Sequence, residues 1–432
     1  MDDTDSTLAT AEAALERTWG YAHLRPAQRR VVLATITGRD CLAMLPTGGG
    51  KSICFQLPAL VRGGLTLVVS PLISLMQDQV GALQARRIAA DYLSSTQTAE
   101  TRAAVRERLL AGRLTLLYVA PERLPSLTAE TRLPCRLLAV DEAHCISEWG
   151  HDFRPHYRAI GTHRRALGMP PTLAVTATAT PATRADIVTI LELRRPVRVV
   201  ASFDRPNLFF AVRQCRDERE RLYAALEQLR GLVGTAICYV PTRNRADGVA
   251  GWLRRKGIVA APYHADLPAA DRRSLLEGFL DGSIRVMAAT NAFGMGIDKP
   301  DVRLVVHLGI PSRPESYYQE AGRAGRDGQP ARCELLWTKK DLALMRRLAG
   351  SGPAAQQGLR TMHAYAHRHR CRRHVLLEYL GERVSRCAGC DVCAPRAAGR
   401  FLRLLKPGRR VAEAWTRGLE VAGHGREPQA QE

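Results

Sequence analysis

At 432 residues the chain is too long for one ordinary domain, and 46% apolar residues place it among globular rather than disordered proteins. No run approaches the roughly 18 consecutive apolar residues of a membrane span, and the polar, acidic start MDDTDSTLATAEAALE is unlike a secretion signal, so a membrane is excluded as partner and the expected location is the cytoplasm. With 63 Lys and Arg against 42 Asp and Glu, the net charge of +21 calls for a partner rich in phosphate.

In chain order, residues 1–14 read as an N-terminal tail. Short apolar strands then alternate with helical segments: DCLAML (40–45), LTLVVS (65–70), LTLLYVA (114–120), RLLAVDE (136–142) and TLAVTA (172–177). Continuous apolar strands separated by helices imply a parallel sheet covered on both faces, an α/β domain over residues 15–205. The stretch SFDRPNLFFAVRQCRDERE (202–220) reads as the connection to a second α/β domain, residues 206–338, with strands TAICYV (235–240), IVAAPYH (258–264), RVMAAT (285–290), RLVVHLG (303–309) and CELLWT (333–338). Residues 339–393 read as a small helical subdomain ending in cysteines, and 394–432 as a basic, flexible tail.

PTGGGKS (46–52) follows the first strand. Gly48, Gly49 and Gly50 lack Cβ atoms, so backbone N–H groups can close around phosphate oxygens, with Lys51 on the β/γ-phosphates and Ser52 helping to hold Mg²⁺. Leu45 stands where the strict pattern has Gly, so the motif alone is a variant. Asp141 and Glu142 stand at the carboxyl end of a later strand, where ligands bind in open α/β sheets. Asp141 suits the water shell of Mg²⁺ and Glu142 the activation of an attacking water. In GRAGRDG (322–328), Arg323 and Arg326 would share one helix face and could meet a γ-phosphate from the second domain; a solvated basic turn is the bland alternative.

DEAHCISEWGHDFRPHY (141–157) fastens an aromatic and basic loop to the carboxylates. Trp149, Phe153 and Tyr157 stand there with His151, His156 and Arg154 at close spacing, for which a packed aromatic cluster is the bland account. Cys371, Cys387, Cys390 and Cys393 have the spacing of a tetrahedral all-sulfur site suited to structural Zn²⁺, with a redox CxxC pair as the alternative. The other seven cysteines are scattered singly and read as reduced core residues.

These motifs, in this order, resemble the RecQ family of superfamily 2 DNA helicases, over about residues 19–393. WGYAHLRPAQ (19–28) resembles the family's adenine-reading segment, which implies that Tyr21, Arg25 and Gln28 contact the base. LPTGGGKS (45–52) matches its phosphate motif, including an apolar residue at the first position, and adds Thr47 to the nucleotide contacts. SPLISLMQDQV (70–80), TATAT (176–180), YVPTRN (239–244), YHADL (263–267), ATNAFGMGIDKPDVR (289–303) and QEAGRAGRDG (319–328) follow in the family's order. The resemblance implies that Asp298 lies near the nucleotide ribose, that Ser70, Thr290 and Asn291 lie on the DNA path, and that Trp149, His151, Phe153 and Arg154 belong to the family's aromatic-rich DNA loop.

The expected fold is therefore two tandem RecA-like parallel-sheet domains followed by a helical zinc-binding subdomain. The expected function is that of an ATP-, Mg²⁺- and Zn²⁺-dependent helicase or translocase moving 3′→5′ on single-stranded DNA, acting on tailed or branched duplexes in repair or recombination. It would work as a monomer, with single-strand-binding or repair proteins as possible partners. Only 39 residues follow Cys393, too few for the winged helix many relatives carry, so either a minimal short form or a truncated chain is expected, with the motor intact and strong unwinding in question. The rival reading is a nucleic-acid-binding or strand-annealing protein for which ATP is a conformational switch; an RNA helicase of the same superfamily is disfavoured by the aromatic loop and the cysteines.

Overall fold

The structure, a computed structural model, describes residues 3–395 except 47, 131–132, 149–152, 295–296, 298, 349–351, 368–369, 384–386 and 388. Four expected site residues, Thr47, Trp149, His151 and Asp298, and nearly all of the expected basic tail lie outside the described residues. The chain divides into two compact units, Met1–Phe203 with Leu380–Glu382, and Asp204–Tyr379 with the remainder. Among the described residues no helix is long and apolar enough to cross a membrane.

The first unit is built on a seven-stranded, all-parallel sheet. Its strands are β1 (Cys41–Met44), β2 (Leu65–Val69), β3 (Ala90–Leu93), β4 (Leu116–Val119), β5 (Cys135–Val140), β6 (Thr172–Thr176) and β7 (Val197–Val200), in the order β3-β4-β2-β5-β6-β1-β7. Burial of every residue of β1, β2, β4 and β6 explains why these read as unbroken apolar runs, as strands covered on both faces must. The two strands absent from the sequence reading, β3 and β7, are the two edges. ADYL and VRVV each carry a charged residue, which an edge tolerates and an apolar-run criterion misses.

Residues 3–14 are not a tail. They belong to the helix Asp3–Trp19, whose Leu8, Ala11, Ala14 and Leu15 are buried, the last three beside Leu24, Val32 and Leu57. Its small apolar residues let it lie close to its neighbours, a weak signal in a sequence otherwise acidic there.

The second unit carries a six-stranded parallel sheet of β8 (Leu208–Gln214), β9 (Thr235–Tyr239), β10 (Ala260–Tyr263), β11 (Val286–Ala289), β12 (Val302–Leu308) and β13 (Ala331–Trp337), ordered β10-β11-β9-β12-β13-β8. All five expected strands are present. The sixth, β8, lies in the stretch read as a connection, where Pro206 and the surrounding charges masked LFFAVRQ; its whole length pairs with β13. The division between units falls at Phe203/Asp204, two residues before the expected boundary.

β8 is an edge strand, and the cysteine segment covers it. Phe210 N–H donates to Gly389 O at 2.9 Å, Asp391 N–H donates to Phe210 O at 3.0 Å, and Asp391 Oδ2 accepts from Val212 N–H at 2.9 Å. The 339–393 segment thus belongs with this sheet, apart from Leu380–Glu382, which group with the first unit. The seven scattered cysteines form no disulfide among the described residues, six of them buried and Cys135 half-buried, as reduced core residues should be.

Candidate functional site

The phosphate loop leaves β1 and leads into the helix Ile53–Arg62. Gln28 Nε2 donates to Gly49 O at 3.1 Å and Gly50 O at 3.2 Å, and Arg25 Nη1 donates to Gly48 O at 2.8 Å. In a trans peptide the carbonyl and the next N–H point in opposite directions. Tying the Gly49 and Gly50 carbonyls to Gln28 therefore turns the Gly50 and Lys51 N–H groups away from it. Gly49 N–H closes a turn onto Pro46 O at 2.8 Å, whereas the N–H groups of Gly48, Gly50, Lys51 and Ser52 have no partner among the described residues. Four orphan donors at the start of a helix form an anion cradle that fits nucleotide phosphates.

Two glycines are needed by this geometry. A Cβ on Gly50, at φ +72°, would sit inside Gln28 Nε2, and one on Gly49 would lie 2.7 Å from Pro46 O. The residues expected to read the base thus also shape the loop: Arg25 and Gln28 cap the helix Pro26–Ile36, the Arg25 N–H donating to Gln28 Oε1 at 3.0 Å. Tyr21 stands 60% exposed with its ring available for stacking.

Asp141 and Glu142 end β5, beyond Val140. Glu142 adopts left-handed backbone angles, φ +46° and ψ +47°, strain of about 1 kcal/mol for a residue with a Cβ, and the 3₁₀ turn Ala143–Ile146 follows at once. Glu142 Oε1 accepts from Lys51 Nζ at 2.8 Å, so the two motifs, ninety-one residues apart, meet directly. His144 Nδ1 lies 3.3 Å from Glu142 Oε2, off hydrogen-bonding geometry, and 2.8 Å from Thr176 Oγ1. That contact joins the carboxylate segment to TATAT.

Burial raises both carboxyls. For Asp141 it dominates, with the neighbouring Glu142 charge adding to it, and the group is pushed up to about 6. For Glu142 burial is overcome by the Lys51 and His144 charges, which hold it well below the usual carboxylate range. A buried acid resisting ionisation beside a phosphate cradle fits a divalent cation, which restores its charged form. Ser52, whose hydroxyl makes no hydrogen bond among the described residues, is the second candidate ligand.

The aromatic loop is bonded to this centre by a residue the sequence reading left without a role. Tyr157, fully buried, donates its hydroxyl to Asp141 O at 3.0 Å. Arg154 donates through Nη1 to Pro71 O at 2.7 Å, beside Ser70, and through its N–H to Cys145 O at 2.9 Å. Phe153 is half-buried and the Ser70 hydroxyl is buried without a partner.

In the second unit the helix Pro314–Ala321 stops before the arginines, so Arg323 and Arg326 lie in the following turn rather than on one helix face. Arg205 clamps that turn by donating to Gly322, Ala324 and Gly325 carbonyls at 3.2, 3.0 and 2.7 Å, and Asn207 Nδ2 donates to Gly325 O at 2.8 Å. Both come from the DRPN segment, which was read only as a connection. Arg323 is buried against the Tyr239 hydroxyl, which donates to Phe293 O at 2.7 Å; Arg326 Nη1 donates to Ile297 O at 2.6 Å. Tyr239 stacks on His307 at 5.2 Å, and His307 Nε2 meets Glu320 Oε2 at 2.8 Å, three residues before Arg323. Thr290 is buried and Asn291 exposed at the end of β11.

The Sγ atoms of Cys371, Cys387, Cys390 and Cys393 lie within 4.8 Å of one another. His374 N–H donates to Cys371 Sγ and Cys393 N–H to Cys390 Sγ, both at 3.4 Å, bonds that favour thiolates. Four clustered sulfurs with no oxygen or nitrogen ligand among them fit Zn²⁺ and leave no open position for catalysis.

Residues 25–187 match the DEAD/DEAH box helicase family, 219–328 the helicase conserved C-terminal domain and 339–394 the RecQ zinc-binding family. The chain is 40% identical over 403 residues to the Bacillus subtilis ATP-dependent DNA helicase RecQ, covering 90% of this chain and 68% of that protein. The chain belongs to the RecQ family. It is 42% identical over 396 residues to the Haemophilus influenzae RecQ, covering 89% of this chain but 63% of that relative's length. The Mycobacterium smegmatis helicase Lhr, solved with single-stranded DNA and AMP-PNP, shares the fold with a TM-score of 0.63 at 20% identity, over 95% of this chain and 55% of that one. In this RecQ-family chain the expected motifs of the first unit thus converge on one centre, and the cysteines on another.

Proposed function

We propose that this chain is a DNA-stimulated ATPase that moves on single-stranded DNA, in the 3′→5′ direction its family resemblance implies. The observation that carries the reading is the direct Lys51–Glu142 contact beside the cradle of unbonded N–H groups: a phosphate binder and a water-activating carboxylate built as one unit.

Bound Mg²⁺ would supply neutralisation of phosphate charge. The chain's own residues do the rest. The Gly48, Gly50, Lys51 and Ser52 N–H groups orient the phosphates, Lys51 exchanges Glu142 for phosphate oxygens, and the freed Glu142 takes the proton of the attacking water. Arg323 and Arg326 are the candidates for stabilising transition-state charge. Tyr157 gives DNA on the aromatic loop a route of one hydrogen bond to the Asp141 backbone.

Steady-state ATP hydrolysis with single-stranded DNA, duplex DNA, RNA or no nucleic acid, run beside strand separation on a 3′-tailed duplex, tests the proposal. Stimulation specific to single-stranded DNA is expected. ATP binding without stimulated hydrolysis would sink it. The charge of +21 favours one rival, a strand-annealing protein using ATP as a switch; annealing unchanged in Glu142→Gln would establish that one.

A further inference from the structure

β1 carries the phosphate loop at its carboxyl end. At its other end, the turns that precede β1, β6 and β7 line an open pocket of about 360 Å³. Its floor is an ion pair sealed from solvent. Arg164 Nη2 donates to both oxygens of Asp40, at 2.7 and 2.8 Å, with the two side chains 1% and 5% exposed.

The pair is fully used. Asp40 Oδ1 also accepts from Thr172 N–H at 2.8 Å and Oδ2 from Arg194 N–H at 2.6 Å, while Arg164 donates to the Pro170, Leu191 and Glu192 carbonyls. One node therefore locks three turns together, and burying such a pair stabilises little by itself, because desolvation offsets the attraction. What it achieves is a rigid shape.

That shape presents Arg39, Arg194 and Arg195 around the pocket. All three are exposed, and none has a side-chain hydrogen bond or a carboxylate partner among the described residues. The Asp40–Arg164 pair being neutral, the pocket carries the uncompensated charge of three guanidinium groups. Like charges held together repel, and an anion with several acceptor oxygens relieves that repulsion while matching their forked donors.

We propose that this pocket is a second phosphoryl-binding site, at the opposite end of β1 from the nucleotide loop. The shared chemistry, a phosphoryl oxyanion held by Arg39, Arg194 and Arg195, has two sources: a backbone phosphate of bound nucleic acid or a free phosphate such as pyrophosphate. The inference does not rest on the motor reading, since a chain that hydrolysed no ATP would still hold the site.

The test is the variant R39Q/R194Q/R195Q, which alters only exposed side chains without partners and so keeps the fold. Pyrophosphate is titrated calorimetrically into protein whose nucleotide loop is saturated with a non-hydrolysable ATP analogue, and DNA affinity is measured against salt concentration. Heat of pyrophosphate binding in the unmodified chain, lost in the variant, supports the site with free phosphate as its ligand. A fall of about 0.7–0.9 in the slope of log affinity against log salt, the loss of one backbone contact, with ATP hydrolysis without DNA unchanged, supports it with nucleic acid. An unchanged slope together with no difference in pyrophosphate binding overturns it. Should the triple variant fold poorly, R195Q alone is expected to weaken pyrophosphate binding and to lower the slope by less than about 0.9, and no change in either would be equally decisive.

Discussion

Glu142→Gln separates the two partners that Lys51 must choose between. In the structure Lys51 Nζ is held by Glu142 Oε1 at 2.8 Å, with the side chains 17% and 11% exposed, so binding phosphate requires a largely desolvated charged hydrogen bond to be exchanged. Hydrogen bonds to charged groups contribute about 1.5–3 kcal/mol, and an amide leaves only the Lys51 end charged, which moves the bond from the top of that range to the bottom. Replacing the carboxylate by an amide therefore makes release of Lys51 easier by about 1–1.5 kcal/mol. The same change removes a negative charge next to the incoming phosphates, which acts in the same direction. ATP is expected to bind roughly five- to tenfold tighter to E142Q than to the unmodified chain. Loss of the general base should lower its hydrolysis by at least about 100-fold. Equilibrium titration with a fluorescent ATP analogue in the presence of Mg²⁺ measures the first quantity and a steady-state phosphate assay the second. Affinity equal to or weaker than that of the unmodified chain would refute the idea that the Lys51–Glu142 contact competes with phosphate.

Tyr157→Phe removes only the hydroxyl bonded to Asp141 O, so thermal stability should fall by about 1–2 kcal/mol; the telling measurement is a loss of DNA stimulation with ATP hydrolysis in the absence of DNA retained. Cys390→Ala takes one of four clustered thiols and the segment that covers β8 with it. Metal analysis should show the loss of Zn²⁺, and limited proteolysis should cut first within residues 371–393, as should strong chelation of the unmodified chain. His307→Phe keeps a ring against Tyr239 but cannot donate to Glu320, whereas H307Q restores a donor. The expectation is a kcat reduced about tenfold in H307F at unchanged KM for ATP, with partial recovery in H307Q, and equal kcat in all three would show that the contact does not position Arg323.

Much of the molecule is determined by local sequence. Continuous apolar runs betray strands buried on both faces, so ten of the thirteen strands, and the two-sheet organisation, can be read from the chain alone. Gly48–Gly50 with Lys51, the Asp141–Glu142 pair and the C-x15-C-x2-C-x2-C spacing are legible because their chemistry demands particular residue types at short separations. Edge strands β3, β7 and β8 escape that reading because an edge is only half covered and accepts charge, and the helix Asp3–Trp19 escapes because small residues pack without announcing themselves.

What only the tertiary structure decides is which distant residues meet. That Gln28 holds two loop carbonyls, that Arg205 and Asn207 clamp the arginine turn, that Tyr157 bonds to the backbone of Asp141, and that Asp40 and Arg164 lock three turns beneath Arg39, Arg194 and Arg195 all depend on separations of 16 to 124 residues. Such pairings leave no periodic trace in a single chain, because a side-chain hydrogen bond constrains two positions in space and nothing between them. The types of residue and their order determine the sheets and the chemistry at hand; the packing of turns at the two ends of each sheet determines where that chemistry is concentrated.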